Sequence, residues 1–406
     1  MDREDNAIAG FTGLSHGTFH GFELSIPLFV PIWIAAFDAS PAVIGVVVGA
    51  GYAIIGLGSP LAGVLADQYG SKQLVLVSIA GMGLSFAAIS LTTSIVTLAI
   101  ALIIWGAAAS IYHPAGLSLI SRNATQRGTV LGYHGAGGSL GTVIVPLVAI
   151  ALLSIFDWRI VIVLLAVPSM IALFIGALLQ IDESTASSNT DGEPSGRPLT
   201  DALRSFVTDS RQLLVGGFVI VLAIQMVYGM YYRGIFTFLP DVLSGLPIFE
   251  PVTIGERTVE AGQLAYSGLL LVGVFGQYAG GALSDRVDPE RTVVVTFCIL
   301  IAASLLFVPA SEIGVLPLLA VCAVLGFFIY AFAPIGQTLV AEYVADDSHG
   351  LSFGFVYFGT FGVGAIGAAV AGAVLDFGTL PLLFIVLSGF LTVCAALGVL
   401  LVKKAA

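Results

Sequence analysis

The chain has 406 residues, 58% of them hydrophobic and only 10% charged, with a formal net charge of −11. A soluble globular domain averages about 45–50% apolar and about 25% charged residues, so that class is excluded, and the apolar residues suffice for about a dozen bilayer spans of ~20 residues. The apolar runs are continuous and about twice as long as the ~10-residue alternating segments of membrane β-barrels, which excludes that architecture as well.

In chain order the apolar runs predict helices over 8–37, 42–66, 73–93, 97–121, 128–155 and 159–180, then over 212–240, 262–284, 291–309, 314–340, 350–374 and 380–402. The opening MDREDN is acidic and lacks the basic stretch of a secretory signal, so the first run is expected to stay as a span. The expected fold is an all-α integral membrane protein of twelve transmembrane helices in two pseudo-symmetric six-helix bundles. Residues 1–181 form the first bundle, 182–210 a cytoplasmic linker and 211–406 the second bundle. The linker is rich in Ser, Thr, Asp and Gly and has little apolar surface to bury. A second polar loop, 241–263, is expected to be external and a simple connector. Cys298, Cys322 and Cys394 all lie in apolar runs, so neither a disulfide framework nor a thiolate metal site follows.

Cytoplasmic loops carry the excess of Lys and Arg. Eleven of the 14 basic residues fall on the side of the two termini, two on the other side, and Arg233 inside a helix. Both termini are therefore expected to be cytoplasmic, in a multi-pass plasma-membrane protein. The 25 acids split 16 and 8 between the same two faces, with Glu23 inside a helix. Net charge is then negative on both faces, which argues against nucleic acid and anionic lipid as partners. It also suggests a salt-loving source. The expected partners are the bilayer and a small-molecule substrate, with the chain acting as a monomer.

The two halves repeat. Gly106, Pro114 and Gly116 of the fourth span recur 220 residues on as Gly326, Pro334 and Gly336. Gly128 and Gly132 recur as Gly350 and Gly354, and Gly63-Val-Leu-Ala-Asp67 recurs as Gly281-Ala-Leu-Ser-Asp285. The segment GVLADQYGSK, Gly63 to Lys72, resembles the loop signature GxLxDRxGRK of the major facilitator superfamily, and GALSDRVDPER, Gly281 to Arg291, resembles a degraded second copy. Gln68 and Ser71 stand where the family has Arg, and Asp288-Pro289 stands where it has Gly. The resemblance implies a gating role for Gly63, Asp67, Gly70 and Lys72 in the first copy, and for Gly281, Asp285 and Arg286 in the second. An ordinary turn with a solvated Asp is the plainer reading. Several pieces are similar to the fosmidomycin-resistance branch of drug efflux proteins: His20-Gly-Phe-Glu23, Tyr112-His113-Pro114-Ala115, Arg127-Gly128 with Gly137, Gly138, Gly141 and Pro146, and Phe238-Leu239-Pro240. Glu23 stands where that branch tends to have Asp.

A charge at the bilayer centre costs about 2.5–3.5 kcal/mol on insertion scales, so a charged residue deep in a span needs a compensating role. Glu23 and Arg233 are the two that qualify. His16, His20 and Glu23 are spaced by 4 and 3, which puts them on one helical face. With His113 and His134 from the fourth and fifth spans they are candidates for picking up and releasing a proton, since His titrates near neutral pH. Each His is equally well read as a structural hydrogen-bonder. Arg233 keeps its proton and serves as a counter-charge for Glu23, a substrate-binding cation or a structural ion-pair partner. Tyr112, Tyr232, Tyr266, Gln277, Tyr330 and Tyr357, with Tyr228 and Tyr231, are candidates to line a substrate cavity.

The sequence Gly137-Gly138-Ser139-Leu140-Gly141 matches the hydrolase elbow GxSxG, which needs a strand turning into a helix. Here it lies inside a Gly-rich span, where close helix packing explains it, and no enzyme is expected. Glycines along the fifth and eleventh spans read as smooth surfaces on which the bundles rock. No GxxxxGK[ST] occurs, which disfavours an ATP-driven pump. The leading reading is a proton-coupled secondary transporter moving a small amphipathic molecule by alternating access, in the direction of efflux. It needs no metal and no cofactor, and the proton gradient supplies the energy. The alternative is an uptake carrier for an organic anion paired with Arg233, and a channel or a non-transporting receptor stays open.

Overall fold

The computed structural model describes residues 1–181, 208, 210–211, 213–254, 257–284, 286–344 and 349–405. The first six long helices are α1 (Arg3–Phe37), α2 (Pro41–Tyr69), α3 (Ser71–Ala88), α4 (Ile95–Asn123), α5 (Arg127–Leu153) and α6 (Trp158–Leu178). The next six are α7 (Gly216–Ser244), α8 (Ala261–Ser284), α9 (Pro289–Ile313), α10 (Val315–Glu342), α11 and α12 (Leu380–Ala405). Span α11 consists of a helix over His349–Tyr357, a π-helical segment over Phe358–Val363 and a helix over Ile366–Phe377. Among the described residues these are twelve helices long and apolar enough to cross a bilayer. Nearly all of the linker expected over 182–210 lies outside the described residues, as do Asp285 and the side chain of Asp67.

Local chemistry sets the helix starts. Ser40 accepts a hydrogen bond from Val43 N with Pro41 in the first turn of α2, and Ser94 with Thr97 forms a capping box at α4. Asp157 caps α6, and Asp288 accepts from Glu290 N and Arg291 N with Pro289 opening α9. The Asp288-Pro289 pair, a departure from the loop signature, is thus helix-start chemistry. Gly70 alone joins α2 to α3 at φ 90°, a left-handed conformation that favours Gly.

The polar loop after α7 is more than a connector. It holds a two-stranded antiparallel ribbon, β1 (Val252–Ile254) with β2 (Arg257–Val259), in the register Val252↔Val259.

The repeat has a packing basis. In one half α1 packs on α5 and α2 on α4; in the other, α7 packs on α11 and α8 on α10. Gly106 lies against the Gly51 carbonyl of α2, and its counterpart Gly326 lies against the Leu269 carbonyl of α8. Of the α5 glycines, Gly128, Gly132 and Gly135 have nothing within 4 Å of a Cβ position, and two others pack inside their own half. Gly137 and Gly141 press on Gly13 and Gly17 of α1, inside the same half, where small residues let backbones touch. Ser139 of the hydrolase-like motif sits in the middle of this helix, which accounts for the motif as packing. Span α11, like α2, packs through small residues both within its own half and against the other. Gly364 and Gly367 meet Gly229 and Met230 of α7, while Gly362, Ala365 and Ala368 meet Gly56, Gly49 and Gly45 of α2 in the other half.

The first helix starts earlier than its apolar run, because Asp2 caps it and Asp5 anchors it. Asp5 is fully buried and accepts from Thr125 N at 2.9 Å, Thr125 Oγ1 at 2.7 Å and Gln126 N at 3.0 Å, tying α1 to the α4–α5 turn. Hydrogen bonds to a charged group contribute about 1.5–3 kcal/mol each, and stranding their donors costs more. Asp5→Ala is therefore expected to lower unfolding stability in detergent by about 3 kcal/mol, read by thermal unfolding. Glu4→Ala, one residue earlier on the exposed side, is expected to change it little.

Candidate functional site

Halfway along α1, Glu23 is 1% exposed and faces Arg233 of α7, which is 2% exposed. The Arg233 Nη2 to Glu23 Oε1 distance is 2.5 Å, and the bond joins the two halves of the molecule. The guanidinium lies over three rings: its Cζ is 3.9 Å from the Tyr52 ring centre, 4.6 Å from Phe361 and 5.2 Å from Tyr232. Such contacts stabilise a desolvated cation by about 2 kcal/mol or more. The Arg233 Nε has no partner among the described residues. The cation thus has one carboxylate partner and a spare donor.

The other Glu23 oxygen accepts from His20. His20 Nδ1 is 2.6 Å from Glu23 Oε2, and His20 Nε2 is 3.0 Å from His16 Nε2. His16 in turn donates from Nδ1 to the His134 carbonyl of α5 at 2.9 Å. The His134 ring stacks on His16 at 4.0 Å, and the His113 ring of α4 stands edge-on to His16 at 5.2 Å. All four histidines and Glu23 therefore share one patch. His20, next to Glu23, keeps 25% exposure, whereas His113 and His134 are buried.

The tyrosines divide by role. Tyr112 is fully buried and donates to the Thr12 carbonyl at 2.6 Å, fastening α4 to α1. Tyr266 donates to the Leu24 carbonyl at 3.1 Å, bracing α8 of one half against α1 of the other. Tyr228 donates to the Ile329 carbonyl at 2.6 Å, and Tyr231 hydrogen-bonds Ser304 at 3.0 Å. These four hydroxyls are engaged as struts between helices, whereas the buried Tyr330 hydroxyl has no partner among the described residues. Tyr232 and Tyr330 remain near the pair, with ring centres 6.5 Å apart. Tyr357 packs on His113 at 4.9 Å. Gln277 accepts from Ser139 Oγ at 3.2 Å, a cross-link between α8 and α5.

The loop residues lie far along the chain from this patch. Lys72, at the start of α3, donates through Nζ to the Leu179 carbonyl that ends α6, within its own half. Gly281 lies in the last turn of α8, and Arg286 is exposed just beyond it. On the face opposite the termini the halves are sealed. There Gly45 and Gly49 of α2 meet Ala368 and Ala365 of α11 closely. Two members of the patch, Tyr52 and Phe361, escape sequence reasoning. Each is one aromatic residue in a long apolar run, and the only signal was a buried Arg that needs π-faces around it.

Removing one partner of a buried ion pair costs about 3–5 kcal/mol, because the other charge is left uncompensated. Glu23→Leu is expected to destabilise the protein by that amount. Adding Arg233→Met is expected to restore most of it, as thermal unfolding of the purified single and double variants will read. An additive double variant would mean that the two side chains are energetically independent.

Comparison with known proteins agrees with this architecture. The chain is 25% identical over 373 residues to a hexuronate transporter of Bacillus subtilis (strain 168), covering 86% of this chain and 82% of that protein. It is 26% identical over 426 residues to a gallate transporter of Pseudomonas putida, covering 94% and 88%. The solved nucleoside transporter NupG superposes with a TM-score of 0.76 at 16% identity, over 97% of this chain and 99% of that one, which is a likeness of fold. The family model of the Major Facilitator Superfamily matches residues 14–314 and 246–406. Twelve spans, the duplicated packing and this match together make the chain a member of the Major Facilitator Superfamily of membrane transporters.

Proposed function

We propose that this transporter carries a small organic anion together with a proton, with Arg233 as the anion site and Glu23 as its exchangeable occupant. The observation that carries the reading is the buried Arg233, caged by aromatic rings and neutralised by a single carboxylate from the opposite half. A substrate carboxylate has the same shape and charge as the Glu23 head group. Arg is suited to the exchange, since its planar fork takes either carboxylate in the same geometry.

The coupling follows from charge. Protonating Glu23 alone strands a buried guanidinium, and binding an anion alone adds an uncompensated negative charge; each is costly in a low-dielectric site. Done together, the proton neutralises Glu23 and the anion takes its place on Arg233, leaving the net charge of the site unchanged. Proton and anion then bind in the same step and travel in the same direction, so an inward proton gradient drives uptake. This is the alternative that the sequence leaves open, and it displaces the efflux sense implied by the drug-efflux resemblance. The names of the two relatives support it, since hexuronate and gallate are both carboxylates. His20, partly exposed and bonded to Glu23, is the route by which the proton arrives. In this scheme the chain works as a monomer in the plasma membrane with both termini cytoplasmic, as the basic residues imply. The seal between α2 and α11 then closes the external face.

Proteoliposomes with an imposed inside-alkaline gradient test the reading, with labelled hexuronate or gallate as probes and a neutral hexose as control. The wild type is expected to accumulate an anion, not the hexose, and to acidify its lumen in step. Glu23→Gln is expected to lose gradient-driven accumulation, while the same anion raises its melting temperature more than that of wild type because Arg233 is free. Arg233→Gln is expected to lose both responses. Undiminished accumulation by the Glu23 variant, or equal uptake of the neutral sugar, would overturn the scheme.

A further inference from the structure

The four clustered histidines do more than the transport reading asks of them. His16 and His20 are one turn apart on α1, and His113 reaches in from α4. The ligating atoms of these three all lie within 4.8 Å of one another. We propose that His16, His20 and His113 form a transition-metal site, taking a borderline divalent ion of the zinc class between the helices of the first half.

Hydrogen bonding on the far side of each ring is the first argument. His16 Nδ1 faces the His134 carbonyl, which can only accept, so that nitrogen carries the hydrogen. His20 Nδ1 faces a Glu23 carboxylate oxygen, which fixes the same tautomer. Metal-binding histidines characteristically donate their second N–H to a carboxylate or a backbone carbonyl, which orients the ring and raises its basicity. Both partner types are present here.

The second argument is what this leaves between the rings. In the neutral tautomers so fixed, the two Nε2 atoms are lone pairs, and they point at each other across 3.0 Å. Two lone pairs at that distance repel unless a cation lies between them. Tetrahedral zinc with Zn–N bonds of about 2.0–2.1 Å holds its nitrogens roughly 3.3 Å apart, so a small separation of the rings admits the ion.

The third argument is His113. It is 6% exposed, and neither ring nitrogen makes a hydrogen bond among the described residues, although a buried imidazole ordinarily finds a partner. Its ring centre is 5.2 Å from His16 and 5.6 Å from His20, and one of its nitrogens already lies within 4.8 Å of theirs. Two residues four apart on one helix plus a third from a neighbour is an arrangement that proteins use for zinc, with water in the fourth position. All-imidazole donors select zinc, cobalt, nickel or copper, not magnesium or calcium. The site shares His20 and its Glu23 contact with the transport reading, but it requires neither Arg233 nor an anion. An ion there would, however, pin His20 and interrupt its exchange with solvent.

Untagged protein in detergent, stripped with chelator and titrated with Co2+, tests the proposal. One equivalent is expected to produce the intense visible bands of tetrahedral cobalt, and Zn2+ is expected to bleach them. His16→Gln and His113→Gln are each expected to abolish the bands. Glu23→Gln is expected to weaken Co2+ binding by about 10- to 100-fold as a lost supporting contact. His349→Gln, at the fifth histidine of the chain, is expected to bind as wild type does. Each variant is checked for folding by its elution profile and melting temperature. Absence of stoichiometric binding, which would leave a shared proton between His16 and His20 as the occupant, overturns the proposal. Bands that survive in folded His16 and His113 variants overturn it as well.

Discussion

A single buried ion pair organises this molecule. Insertion scales charge about 2.5–3.5 kcal/mol for each ionised group at the bilayer centre, yet Glu23 and Arg233 both lie inside membrane-length helices with almost no exposure. They are tolerable because each neutralises the other across the boundary between the two bundles. In the proposed scheme the pair is both the glue of this conformation and the contact that is replaced when the bundles part. A fixed hydrophobic contact in the same place would hold the halves together equally well but would offer nothing for a proton or an anion to exchange with.

Around the pair, small residues do what side-chain interdigitation does in soluble proteins. Lipid supplies no hydrophobic drive for helices to associate, so backbones must approach closely and gain dispersion contacts instead. The seals between α1 and α5 and between α7 and α11 are such contacts within a bundle, and α2 with α11 repeats the device between bundles. Span α11 meets both kinds of demand by breaking its own regularity. Its π-helical segment, Phe358–Val363, changes the phase of the helix, with Phe361 against Arg233 and Gly362 against Gly56. Local π-turns of this kind occur frequently at functional sites.

Much of this was legible in the chain itself, because membrane folding rests on composition and period. The twelve spans follow from the length of the apolar runs. The duplication was visible in Gly106 and Gly326, which the structure shows at equivalent crossings. The shared face of His16, His20 and Glu23 follows from their 4 and 3 spacing. What stayed hidden depends on helix rotation, which apolar runs do not encode. Tyr112 and Tyr266 resembled cavity-lining groups, yet their hydroxyls serve backbone carbonyls of α1. Gly137 and Gly141 of α5 suggested a surface between bundles and instead face α1. Asp5 looked like part of an acidic tail because its partners, Thr125 and Gln126, are about 120 residues away.

The two halves have diverged in chemistry while keeping one packing scheme. The first contributes every histidine of the patch, together with the carboxylate; the second contributes the guanidinium and, apart from Tyr52, the rings that surround it. Under the proposed coupling, a duplicated fold that placed exchangeable protons in both halves would have two competing routes and no reason for proton and anion to move in step. Putting titratable groups on one side of the interface and a permanent cation on the other makes the boundary itself the meeting point. Whichever way the bundles tilt, the histidine-bearing helix α1 and the arginine-bearing helix α7 move relative to one another. In the proposed scheme the strength of the bond between them therefore depends on the occupancy of the site.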